Sequence, residues 1–98
     1  MDLYLLLRKI EERPELFIGG RDIYALRHFL AGYILAIEEQ NPNCRNELLP
    51  GFTSYLAGKY DDKRDYDWAT LIAAHEADGG TTDAFFRLLS EYRSRNIL

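Results

Sequence analysis

Valine is absent from this chain, cysteine occurs once, proline three times, and no apolar run is longer than the five residues of Leu3 to Leu7. Each scarcity excludes something. Without valine, and with no stretch in which β-branched and polar residues alternate, the sequence predicts little or no sheet. A lone Cys44 cannot form an intrachain disulfide, which fits a reducing, cytoplasmic setting. A membrane span needs about 18 to 20 apolar residues in a row, and acidic Asp2 stands where a secretory leader carries a basic start, so a soluble, unexported protein is expected. Basic residues are also in the minority, twelve against sixteen acids, for a net charge of −4. That balance argues against nucleic-acid binding, which rests on Lys and Arg neutralising phosphates.

What the chain does have is apolar and aromatic material: 47 % hydrophobic residues and 13 % aromatic, with seven Tyr, five Phe and one Trp. A chain of 98 residues buries only about 60 to 70 % of its unfolded surface, so its core must be dense. No internal repeat, low-complexity tract or composition shift divides it, and residues 1–98 read as one domain.

Five segments carry helical periodicity. In Asp2 to Glu12, Leu3, Leu6, Leu7 and Ile10 recur at helical spacing behind Asp2 as N-cap, and Arg13, forced out of the α region by Pro14, ends the helix. Pro14 and Gly19-Gly20 then read as a reversal. A long second helix runs from an Asp22 cap to about Gln40, with Ile23, Leu26, Leu30, Tyr33 or Ile34, and Ile37 as its stripe. Gly32 inside it costs about 1 kcal/mol relative to Ala, which predicts a tight crossing against the bare backbone. After a loop rich in Asn and Pro, Phe52, Tyr55, Leu56 and Tyr60 mark a third helix with Pro50 near its start. Trp68, Leu71, Ile72 and His75 mark a fourth, capped by Asp67 and ended by Gly79-Gly80, and Phe85, Leu88, Leu89 and Tyr92 mark the last, capped by Thr81 or Thr82. The expected fold is all-α: a compact bundle of about five helices with the long second helix at its centre.

Catalytic chemistry finds little to work with. A zinc site needs three or four converging Cys, His or carboxylate ligands, and the chain has one Cys, His28 and His75, without H-x-x-x-H or C-x-x-C spacing. Cys44 has no recognisable nucleophile motif around it, His28 looks solvent-facing, and His75 continues an apolar face as a core-edge histidine bonded to a neighbour. The glycine pair lacks the surrounding pattern of a phosphate loop. No catalytic, cofactor-binding or metal-binding residue is assigned, and no enzyme is expected.

A binding surface remains. Between Asp61 and Asp83 stand seven acids and two bases, so this segment carries the whole charge imbalance. Tyr60, Asp61, Asp62, Asp65, Tyr66 and Asp67, with Glu76 and Asp78 beyond them, join negative charge to amphipathic rings, a mix suited to steering and anchoring a protein partner. A solvated acidic loop whose Tyr60 and Tyr66 tuck into the core is the competing reading.

Arg13, Pro14, Phe17, Ile18 and Gly19, followed by Phe29, Leu30, Gly32 and Tyr33 and later by Pro50, Gly51, Phe52 and Trp68, give the order R-P-x-x-[FY]-[IL]-G, then F-L-x-G-Y. Over about residues 5–90 this pattern resembles small bacterial helical proteins similar to the immunity partners of polymorphic or contact-dependent growth-inhibition toxins. The resemblance implies a cytoplasmic protein that binds one cognate toxin domain, such as a basic nuclease, and blocks it. Its acidic segment would cover a cationic active-site cleft or a neighbouring exosite, with Tyr60 and Tyr66 as anchors. Two alternatives stand beside it: a self-associating helical interaction module, and a small enzyme using His75 or Cys44.

Overall fold

The computed structural model describes residues 3–40, 49 and 51–95. They form six helices: α1 (Leu3–Glu12), α2 (Pro14–Ile18), α3 (Ile23–Gln40), α4 (Phe52–Tyr60), α5 (Trp68–His75) and α6 (Thr82–Arg95). The all-α expectation holds, and no strand occurs among the described residues. The expected caps at Asp2 and the readings of Cys44 and Pro50 lie outside the described residues. None of the described helices is long and apolar enough to cross a membrane.

The helix beyond the expected five is α2. Arg13 is extended, with φ −142° and ψ 70°, as a residue before proline must be, but Pro14 then opens a new helix at its first position rather than a bare turn. Gly19 closes α2 in the left-handed region at φ 76°, the conformation glycine adopts at least cost. Five residues are too few for a periodic signal, which needs a window of about 11 to 18.

Asp22 caps α3, its Oδ1 accepting from the backbone N–H of Tyr24 at 2.7 Å and Ala25 at 3.4 Å. Beside it, the Ile23 N–H donates to the Gly80 carbonyl at 3.1 Å and the Thr82 N–H to the Arg21 carbonyl at 2.8 Å. This two-bond bridge ties the start of α3 to the start of α6. A separate close approach, of the turn before α6 to α5, needs Gly79, since a β-carbon there would stand 2.1 Å from the Ile72 carbonyl oxygen.

Among the described residues, seventeen buried hydrophobics form one core, with Ile10, Ile23, Leu26, Leu30, Phe52, Phe85 and Leu88 fully enclosed. Phe85 sits between Phe52, edge-on at 5.8 Å, and Trp68 at 4.8 Å, both within the range of favourable aromatic pairing. Trp68 is only 6 % exposed and belongs to this core. The hub is α6, which packs against α1, α3, α4 and α5. In α3, Ile23, Leu26 and Leu30 are buried, but no described residue beyond Leu30 is, and Leu35 is 58 % exposed. Among the described residues, the fully buried positions of the long helix thus lie in its N-terminal half, with half-buried Tyr33 packed on the core beyond them.

The tight crossing expected at Gly32 is not made by any of the described residues. Gly32 is exposed, and a β-carbon there would meet nothing within 4 Å among the described residues. Helical periodicity identifies which face of a helix is apolar, not whether a neighbour comes close enough to need the missing side chain.

Candidate functional site

The acidic segment lies between α4 and α5, and its first two acids are structural. Asp61 stands at the end of α4 with φ 50°, its N–H reaching the Gly58 carbonyl at 3.3 Å while that of Asp62 reaches Ala57 at 3.0 Å. This pair of bonds is the Schellman ending of a helix, with Asp61 in the position glycine usually takes. Asp62 then turns inward. Its buried carboxylate accepts from the Arg64 backbone N–H at 3.0 Å and from the Arg64 guanidinium at 2.9 and 2.6 Å. It also accepts from His75 Nε2 at 2.7 Å, so with Asp62 ionised the Nε2 proton belongs to the imidazole. Arg64, then His75, hold the Asp62 carboxyl well below the usual carboxylate range.

Asp62 is therefore not the exposed steering charge that the sequence suggests. The i to i+2 bond from its side chain to Arg64 is an Asx turn, which bends the linker so that the carboxylate faces His75 across it. His75 is bonded to a neighbour as expected, but it is exposed rather than at the core's edge, with its ring stacked on Tyr60 at 4.4 Å and 10°. The carboxylate and imidazole together pin the linker to the end of α5.

Tyr60 and Tyr66 part company. Tyr60 is half-buried against the core, and its hydroxyl donates to Glu76. Burial, followed by that carboxylate, pushes the phenol well above its ordinary value. Tyr66 is 38 % exposed, with the Arg64 guanidinium 4.5 Å above its ring.

Most of the remaining acids are already paired. Asp67 caps α5 by accepting from the Thr70 N–H at 2.9 Å, and its other oxygen takes Arg27 at 2.7 Å. Burial pushes its carboxyl up, but Thr70 and Arg27 outweigh that and leave it below its ordinary value. Arg87 joins Glu76 at 2.9 Å and Asp78 at 3.0 Å. The Tyr60 hydroxyl, with Arg87, lowers the Glu76 carboxyl. Asp83 meets Arg21 at 3.3 Å. Asp61 and Asp65 make no side-chain ion pair among the described residues.

Cations thus complete a site that the sequence describes by its acids. Arg27 lies 5.0 Å from the centre of the Tyr24 ring while it holds Asp67, so α3 presents a second exposed tyrosine, 37 % accessible, beside the linker. The result is a braced surface of Tyr24, Arg27, Arg64 and Tyr66 around paired carboxylates, with Asp61 and Asp65 as its open acids. Arg64 had a local signal in the Asx turn, whereas Arg27 is 40 residues from Asp67 and had none. Among the described residues, no three His, Cys, Asp or Glu side chains converge to hold a metal.

No protein-family model matches the chain, and no curated protein or solved structure is similar to it at a significant level.

Proposed function

We propose that this chain is an immunity-type inhibitor that binds a bacterial toxin domain through the linker between α4 and α5 and the adjoining face of α3. The observation that carries the reading is the braced pair of exposed rings, Tyr24 and Tyr66, each with an arginine over it and each arginine held by a carboxylate. Tyr and Arg are the residues that most often dominate interface energetics, and side chains already fixed by ion pairs lose less freedom on binding. The partner class comes from the resemblance of the turn and helix pattern to immunity proteins. Asp61 and Asp65 supply the charge that would steer the chain onto a basic cleft or exosite.

The test is co-expression with the toxin domain encoded beside the chain's own reading frame, followed by association kinetics with the purified domain. Growth is expected to be rescued, and Asp61→Lys with Asp65→Lys to slow association and flatten its salt dependence while the helical signal is unchanged. Asp62 is left in place because its carboxylate is part of the fold. Failure to rescue growth, or an association rate indifferent to the double reversal, would overturn the respective part of the proposal.

One observation favours self-association as a second reading. Ala31, Gly32, Leu35 and Ala36 form an exposed, uncharged stretch of α3. Sedimentation equilibrium distinguishes the two: a concentration-dependent dimer weakened by Leu35→Glu supports self-association, and a monomer at all concentrations removes it.

A further inference from the structure

A groove of about 380 Å³ runs between α1 and α6, on residues the proposed interface does not use. Leu7 and Leu89, both nearly inaccessible, belong to its lining, and the half-buried rings of Tyr4 and Phe86 stand with them. Its polar groups are unusual for a chain with a net charge of −4, because two arginines, Arg8 and Arg93, line it against a single acid, Glu11. Neither arginine has a carboxylate partner among the described residues. Glu11 stands three residues from Arg8 on the same helix, yet the two form no ion pair. Elsewhere on the surface, Arg21, Arg27, Lys59, Arg64 and Arg87 are paired with carboxylates, whereas Lys9, Arg13, Lys63 and Arg95 form no ion pair among the described residues.

Arg93 is fixed without being neutralised. Its guanidinium lies 3.8 Å from the centre of the Tyr4 ring, a cation–π contact that holds the group in place without a carboxylate taking its N–H donors. Those donors form the planar fork that matches a carboxylate. Ser90 and Ser94 add hydroxyls from the same side of α6. Two like charges on one groove repel each other, and an anion between them relieves that repulsion while forming charge-assisted hydrogen bonds.

We infer that the α1–α6 groove binds a small amphipathic carboxylate, its charged end on Arg8 and Arg93 and its apolar body over Leu7 and Leu89. The volume is of the order of a small-ligand site, and the combination of apolar floor with a few convergent polar groups is that of such sites generally. Glu11 at the same groove sets the selectivity: it disfavours a second negative charge, so a monoanion is preferred over a dianion.

Octanoate is the probe, with octanol and octylamine as matched ligands lacking the negative charge. Titrated into the intact isotopically labelled chain, octanoate is expected to move the amide resonances of Leu7, Arg8, Leu89, Ser90 and Arg93 saturably, and octanol and octylamine to bind at least about tenfold more weakly. Arg8→Gln with Arg93→Gln should bring octanoate down to the level of octanol. Equal binding of all three ligands, shifts that do not saturate, or shifts centred away from α1 and α6 would each overturn the inference. The ligand series alone decides the matter on the unaltered chain if the double variant does not fold.

Discussion

Replacing Gly32 by alanine should make this protein more stable, although Gly32 belongs to the most distinctive pattern in its sequence. The residue lies within the 18-residue helix α3, it is exposed, its backbone is not in the left-handed region, and a new methyl would touch nothing within 4 Å among the described residues. No steric term then opposes the intrinsic difference between the two residues in a helix interior, about 1 kcal/mol in favour of alanine. With a urea dependence of about 1 to 3 kcal/mol per M, the unfolding midpoint should rise by about 0.3 to 1 M, and the melting temperature by about 4 to 8 °C. Gly58 in α4, equally open, should respond in the same direction but less, being close to the helix end. Gly79 should respond in the opposite sense. Its methyl would be forced to 2.1 Å from the Ile72 carbonyl oxygen and 2.8 Å from the Ala73 Cα, backbone atoms that cannot swing aside, so Gly79→Ala should cost about 1 to 3 kcal/mol. The three variants, followed by far-ultraviolet circular dichroism in urea, form one experiment whose signs are set by geometry. A lowered midpoint for Gly32→Ala would mean that something packs on that face, and a tolerated Gly79→Ala would refute the close approach of the α5 end to the turn before α6.

Trp68→Ala should cost about 3 to 5 kcal/mol, because the ring is enclosed against Phe85, and an unchanged melting temperature would contradict that burial. Asp61→Gly should raise stability by up to about 1 kcal/mol by relieving the positive φ at the end of α4, measured as a higher urea midpoint; a lower midpoint would show that the aspartate side chain contributes to the fold. Acid should destabilise the chain. Asp62, Asp67, Glu76 and also Glu91, which accepts from the Tyr55 hydroxyl and from Lys59 at 2.9 Å, have folded pKa values lowered below their ordinary ones, so the stability they contribute is complete above the unfolded values of about 3.9 to 4.3 and is lost as pH falls through the folded ones. Urea midpoints taken from about pH 6 down to about pH 2 should fall across that window, and a flat or rising series would contradict the assignment.

The helices were legible in the sequence because each buries a periodic face: Leu6, Leu7 and Ile10 in α1, Ile23, Leu26 and Leu30 in α3, Leu88 and Leu89 in α6. The caps Asp22 and Asp67 were legible for the same local reason, since a capping carboxylate reaches only two or three residues ahead. The end of α1 before Pro14 and the left-handed Gly19 were read correctly, but the turn expected at Pro14 is the start of α2, which was too short to announce itself. The charge distribution was the least legible feature. Composition counts seven acids between Asp61 and Asp83, whereas the fold brings Arg27 from 40 residues away to Asp67 and Arg21 from 62 residues away to Asp83. Such pairings follow from the packing of distant helices and leave no trace in local spacing. Asp62 is the instructive case: counted as surface charge, it is buried between Arg64 and His75.

The position of α6 as hub also bears on how the chain is made. A nascent chain that has released α1 to α5 still lacks α6, on which α1, α3, α4 and α5 pack, with its buried Phe85, Leu88 and Leu89, and lacks the Thr82 and Asp83 contacts that hold the start of α3. Phe52 and Trp68 then remain without Phe85, the ring on which both pack, and partly assembled chains of this kind are prone to associate with one another. The core therefore cannot close until α6 has been made and is free to dock.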